Sequence, residues 1–158
     1  MLPLTVTAFV PVWIARRGQI APHLGGSGAQ LAAQVAGIAL VVVGLSLFVA
    51  TLRLFVTLGR GTLAPWDPPK HLVVRGPYRH VRNPMISGVL FVLFGEALIL
   101  LSRPHLEWAV LFLAINVVYI PLFEEPQLAA RFGDSYREYK RHVGRFIPRL
   151  RGWDQGHP

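Results

Sequence analysis

The sequence predicts an all-α integral membrane helical bundle of about four transmembrane helices, with a loop and a C-terminal helix together on the cytosolic side. Three observations carry that expectation. Hydrophobic residues make up 53% of the 158 residues and charged residues only 15%, with a mean hydropathy of +0.44. The charges leave long gaps: none lies between Leu31 and Leu52, and only Glu96, Arg103 and Glu107 lie between Met85 and Phe123. A helix needs about 20 apolar residues to cross a hydrocarbon core roughly 30 Å thick, and a water-soluble fold of this size rarely has a use for several such runs. Finally, twelve of the 16 Lys and Arg fall in two blocks, Arg60 to Arg82 and Arg131 to Arg151, each abutting an apolar run. That distribution follows the positive-inside bias of cytosolic loops and suits an anionic inner leaflet. The net charge of +8 is therefore read as topology, and nucleic acid is excluded as a partner.

In chain order, Leu2 to Ala15 is apolar but short, interrupted by Pro3 and Pro11 and closed by Arg16 and Arg17. It has no basic n-region and no small-residue cleavage site, so it reads as a retained first helix rather than a signal peptide. Residues 18–29 carry Gly18, Pro22, Gly25, Gly26 and Gly28 and read as a linker; no strand precedes them and no Lys-Ser/Thr follows, as a phosphate cradle requires. Gln30 to Leu58 is the strongest span. Ala33, Gly37 and Gly44 fall near one of its faces, where small residues let membrane helices approach closely. Pro65, Pro68 and Pro69 forbid a regular helix in residues 59–84, which reads as a surface loop with Trp66 as an interfacial anchor.

Met85 to Ser102 and Leu106 to Phe123 read as two spans joined by Arg103-Pro104-His105. So short a turn predicts antiparallel neighbours that return the C-terminal tail to the side of segment 59–84. Arg16 and Arg17 then fall outside, against the charge bias. Glu124 to about Val143 is charged and helix-compatible. Residues 1–58 thus form an N-terminal part of transmembrane helices and loop, 59–150 a region built around the hairpin 85–123, and 151–158 a tail. Glu96 is an ionisable group at mid-membrane depth and a functional candidate by that fact; pairing with Arg53 or Asn116 inside the bundle is the alternative.

Much familiar chemistry is missing. The chain has no cysteine, which removes disulfides, thiolate catalysis and cysteine metal sites. The six histidines show no metal-ligand spacing, and the strand–helix alternation of a soluble dinucleotide fold is lacking. What remains is the two polar blocks. The first runs His71-Leu-Val-Val-Arg-Gly-Pro-Tyr-Arg-His-Val-Arg-Asn-Pro-Met-Ile-Ser-Gly88. The second runs Glu124-Glu-Pro-Gln-Leu-Ala-Ala-Arg-Phe-Gly-Asp-Ser-Tyr-Arg-Glu-Tyr139 and on to Val143, Arg145 and Pro148.

With these motifs, Gly-Pro-Tyr then Arg-x-Pro and a Gly, and Glu-Glu-x-x-Leu then Phe-Gly-x-x-Tyr-x-x-Tyr and Arg-x-x-Pro, the chain resembles the isoprenylcysteine carboxyl methyltransferase family. That family belongs to a wider group of membrane-embedded methyltransferases that includes the phospholipid N-methyltransferases. The resemblance covers roughly residues 59–150. It departs from the family's Arg-His-Pro-x-Tyr-x-Gly at two positions: Asn83 keeps a hydrogen-bonding side chain without a cation, and Ile86 replaces the tyrosine.

The resemblance implies S-adenosylmethionine as cofactor, held by the loop and the C-terminal helix, and a lipophilic carboxylate, amine or thiol as acceptor. It implies cofactor contacts at His71, Leu72, Val73, Gly76, Pro77, Tyr78, Val81, Asn83, Pro84, Gly88, Glu124 and Glu125, catalytic roles for Arg82 and Glu125, and acceptor contacts at Tyr136 and Arg145. The residue types suit that ligand. Gly76 and Pro77 permit close backbone approach, and Tyr78, Val81 and Pro84 offer an adenine wall. Glu124 and Glu125 accept from ribose or ammonium, and Arg82 matches a carboxylate bidentately. Arg75, Arg79, Arg137, Lys140 and Arg141 read as topology and headgroup charges, and Tyr139 as packing. Two alternatives stay open: an NADPH-dependent membrane reductase of the sterol reductase type, and a non-enzymatic lipid-binding relative. Oligomeric state is not legible.

Overall fold

The structure, a computed structural model, describes residues 5–20, 25–58, 72 and 74–154. Every regular element among them is helical. A π-helical turn, Thr5–Phe9, leads into α1 (Val10–Arg17). Helix α2 spans Gly28–Leu58 and α3 spans Pro84–Ile99. Helix α4 (Arg103–Tyr119) runs through a second π-helical turn, Ile120–Glu124, into α5 (Glu125–His142). These elements reproduce the expected order. The start of the second hairpin helix is corrected: Arg103, Pro104 and His105 belong to α4, and the turn is Leu100–Ser102. Pro104 is tolerated because the first turn of a helix needs no amide donor from it.

Two helices are long and apolar enough to cross a bilayer, Gly28–Leu54 and the helix beginning at Arg103, while Pro84–Ile99 is apolar but shorter. At 1.5 Å per residue the 31 residues of α2 reach about 46 Å. Large apolar side chains stand exposed along α2 and α4, among them Val35, Val42, Leu111 and Val118, as lipid-facing surfaces require. In contrast, α3 buries Val89, Leu90, Val92, Leu93 and Ala97.

The chain divides into two compact units. One comprises Met1–Ser46 and Gly88–Asn116, the other Leu47–Ser87 and Val117–Pro158. In the first unit, α2 and α3 meet through paired glycines. A Cβ on Gly37 would lie 2.7 Å from the Gly95 carbonyl oxygen, and one on Gly44 would lie 2.6 Å from that of Gly88. The pairing of 37 with 95 and 44 with 88 is that of an antiparallel crossing. The small-residue face expected on α2 therefore serves packing within the chain. Gly44→Val is expected to destabilise the protein by about 1–3 kcal/mol, the cost of overpacking a tight contact. The check is the midpoint of SDS-induced unfolding in mixed micelles; an unchanged midpoint would contradict the close approach.

Two hydrogen bonds dock the N-terminal helix on α4. The buried His105 ring bridges Ser102 Oγ (2.7 Å) and the Pro11 carbonyl (3.2 Å). Pro11 brings no N–H to its turn, and the Val6 carbonyl accepts instead from Trp108 Nε1 at 3.2 Å. Asn116 does not supply a partner for Glu96: its amide donates to the Phe112 carbonyl at 2.8 Å, and Glu96 Oε2 is buried without a hydrogen bond among the described residues.

The candidate site at the C-terminal end of the hairpin

The second unit holds the second polar motif and the first as far as Ser87. Gly76 adopts φ +55°, a left-handed conformation that a side chain disfavours. A Cβ there would meet Leu54 Cδ1 of α2 at 2.9 Å, so the bare backbone accommodates the end of α2. Pro77 then sets the first turn of a 3-10 helix, Gly76–Arg79. Beyond it the chain is laced to the C-terminal tail by backbone bonds. Arg82 N donates to Gly144 O (2.9 Å) and Asn83 N to Arg145 O (3.3 Å), while Arg149 N and Trp153 N donate to His80 O and Arg79 O, each at 2.9 Å. Asn83 O accepts from Ser87 N at 3.0 Å and from Ser87 Oγ at 3.0 Å, closing the first turn of α3. Pro84, its first residue, is fully buried.

Helix α5 lies on this segment through one face. Tyr136, Tyr139 and Val143 are buried, with Leu72, Val74, Leu128, Ala129, Phe132 and Trp153 packed around them. Tyr139 donates its hydroxyl to the Tyr78 carbonyl at 2.6 Å. Gly133, with φ 57° and ψ −131°, kinks the helix midway.

On the same face sits Glu125, 2% exposed. Its Oε1 accepts from Arg82 Nη1 at 2.8 Å and from Arg145 Nε at 2.7 Å, and Lys140 Nζ lies 2.7 Å from Oε2. Arg82 Nη1 also reaches the Tyr136 hydroxyl at 3.5 Å. One buried carboxylate thus joins the first motif to the second and to the tail. Burial alone would raise the Glu125 carboxyl, but hydrogen bonds from Arg145 and Lys140 and the charge of Arg82 outweigh it and hold the group down at about 2.

Its neighbour differs. Glu124, half-buried, makes no ion pair among the described residues. Burial, and then the charge of Glu125, raise its pKa. Burial also raises the Tyr78 phenol, assisted by the charges of Tyr139 and Glu124. Arg82 Nε is buried and makes no hydrogen bond among the described residues.

Of the residues expected at a site, Arg82, Glu125, Tyr136 and Arg145 come together in this cluster, and Leu72, Tyr78 and Glu124 lie in the same unit beside it. Val81 is buried in that unit. Gly88 belongs to the other unit, where its carbonyl faces Gly44. His71 and Val73, like Trp66, lie outside the described residues. Lys140, read from sequence as a surface charge, proves to be a partner of Glu125. The signal was available: Glu125, Phe132, Tyr136, Tyr139 and Val143 share one face at helical spacing, and Lys140 lies at its margin.

The phospholipid methyltransferase family model matches residues 32–135, which contain the glycine crossing, the hairpin, Arg82 and Glu125. The chain belongs to the phospholipid methyltransferase family. Among curated proteins, methanethiol S-methyltransferase 2 of Bradyrhizobium diazoefficiens is 37% identical over 76 residues, covering 46% of this chain and 27% of the relative. Methanethiol S-methyltransferase of Mycobacterium tuberculosis is 38% identical over 72 residues, covering 45% and 28%. The match spans about a quarter of these relatives' own lengths. No solved structure matches the chain. The phospholipid methyltransferase match agrees with the membrane methyltransferase resemblance carried by the two motifs, and extends it upstream into α2.

Proposed function

We propose that this chain is a multi-pass membrane methyltransferase that transfers a methyl group from S-adenosylmethionine to a small lipophilic acceptor. In this reading about four helices span the bilayer, and the Gly76–Asn83 segment and α5 face the cytosol. The observation that carries it is the unequal fate of the adjacent carboxylates. Glu125 is consumed by Arg82, Arg145 and Lys140, whereas Glu124 is half-buried and makes no ion pair among the described residues.

The residues present fit the cofactor. Glu124 offers an acceptor to an ammonium or to ribose hydroxyls, and Arg82 Nε offers an unused donor to a carboxylate. Three cations around one carboxylate also leave positive charge for an anionic group to meet. Bound S-adenosylmethionine supplies a methyl activated on a sulfonium. The chain's own work is to bind, orient and exclude water. Alignment of the reacting groups is worth about 7–11 kcal/mol without any acid or base. Family membership, and the methyltransferase names of the relatives, support the reaction class.

For the acceptor, a thiol is favoured over a carboxylate. The relatives are named for methanethiol, and Arg145, the expected holder of an acceptor carboxylate, is engaged by Glu125. The acceptor loses its proton as its sulfur gains the methyl. Calorimetric titration of folded protein in lipid nanodiscs with S-adenosylhomocysteine is expected to show saturable binding, and its absence would sink the cofactor reading. Mass-spectrometric assay with an alkanethiol, phosphatidylethanolamine and a prenylcysteine is then expected to show methylation of the thiol alone or foremost.

A further inference from the structure

Residues 143–153 form an arch tied down at both ends. Val143 is buried, and Trp153 stacks on His142 with ring centroids 5.2 Å apart and packs against Tyr139 at 5.9 Å. Its backbone is also held between the ends, by the bonds from Asn83 N to Arg145 O and from Arg149 N to His80 O. Yet two large apolar side chains project from it: Ile147 is 82% exposed and Leu150 wholly so. A tethered backbone that presents an isoleucine and a leucine outward is placing them against something apolar. Two further features say what.

The first is depth. Asn83, to which the arch is bonded, immediately precedes α3, the apolar helix beginning at Pro84, so the arch lies at the level where that helix leaves the polar zone. The second is charge. Between Val143 and Trp153 the charged residues are Arg145, Arg149 and Arg151, with no acid. Arg145 serves Glu125, while Arg149 and Arg151 are exposed beside the two apolar residues, Arg149 with its Nη1 donating to the His142 carbonyl. Basic groups at a membrane surface are drawn to anionic headgroups, and alternation with apolar side chains is what an interfacial segment needs.

We infer that this arch is a membrane-seating element, with Ile147 and Leu150 immersed in the acyl boundary of an anionic leaflet and Arg149 and Arg151 on its lipid phosphates. It sets the tail, and Arg145 with it, at a defined depth, independently of the reaction the site performs.

The absence of cysteine makes the test direct. Ile147→Cys and Leu150→Cys, each carrying one nitroxide label, are reconstituted as full chains in bilayers of phosphatidylcholine with or without phosphatidylglycerol. Both positions are exposed, so the variants keep the fold. In anionic bilayers both labels are expected to relax faster with oxygen than with a water-soluble nickel chelate, while a label at the exposed Glu138, turned about 100° around α5 from the buried Tyr139, shows the reverse. Arg149→Gln with Arg151→Gln, or omission of phosphatidylglycerol, is expected to move the labels outward. Labels at 147 and 150 as accessible to nickel as that at 138 would overturn the inference. An immersion unchanged by lipid charge or by the arginine substitutions would overturn the phosphate contacts. Protection that arises only when soluble protein is added would overturn it in favour of a protein partner.

Discussion

Glu125→Gln is expected to destabilise the protein by about 3–5 kcal/mol, the usual cost of removing one partner from a buried ion pair. The partners share that cost unequally. Lys140 is half exposed and Arg145 about a quarter exposed, so both can turn toward water, but the Arg82 side chain is only 8% exposed and cannot. Glu125→Leu combined with Arg82→Leu is therefore expected to lose less than Glu125→Leu alone, because an apolar pair leaves no stranded charge. SDS-induced unfolding of the four proteins in mixed micelles measures this; equal losses would show that Arg82 does not depend on Glu125.

A pH dependence follows from the same group. Folding lowers the Glu125 carboxyl from an ordinary 4.5 to about 2. Its contribution is thus fully present above pH 4.5 and is lost as pH falls toward 2. Wild-type stability is expected to decline through that window with a component that Glu125→Gln lacks. Matching profiles for the two proteins would contradict the assignment.

Glu124→Gln is expected to behave in the opposite way. Glu124 has no ion-pair partner to strand, and its raised pKa means that the folded protein already holds its charge at a cost. Removing that charge should leave stability unchanged or slightly improved. If Glu124 holds the cofactor, a charged hydrogen bond worth about 1.5–3 kcal/mol is lost, and S-adenosylhomocysteine binds roughly ten- to hundred-fold more weakly. SDS-induced unfolding and titration calorimetry on both variants separate the roles: Glu125→Gln shifts the unfolding midpoint, and Glu124→Gln shifts the dissociation constant. Undiminished affinity in Glu124→Gln would remove Glu124 from the site.

Much of this was legible in the chain. The uncharged stretch from Leu31 to Leu52 and the hairpin from Met85 to Phe123 needed only composition and length, because a bilayer imposes the same length and polarity on any helix that crosses it. Gly37 and Gly44 announced a close approach, although not the helix that approaches. The pairing of Gly-Pro-Tyr and Glu-Glu motifs around the hairpin marked the region that family membership later covered. Less legible was which member of each motif does what. In the structure Gly76 gives room to Leu54 and Gly88 forms one side of the α2–α3 crossing, packing partners that no motif names.

Sequence by itself determined the all-helical class, the order of the apolar helices and the two polar segments that matter, because these follow from local hydropathy, helix length and motif spacing. Only the tertiary structure decided between Glu124 and Glu125. Adjacent carboxylates are alike in sequence, but consecutive residues on a helix point about 100° apart. One therefore turns into the face where Arg82, Lys140 and Arg145 converge, and the other is left half-buried without an ion pair among the described residues.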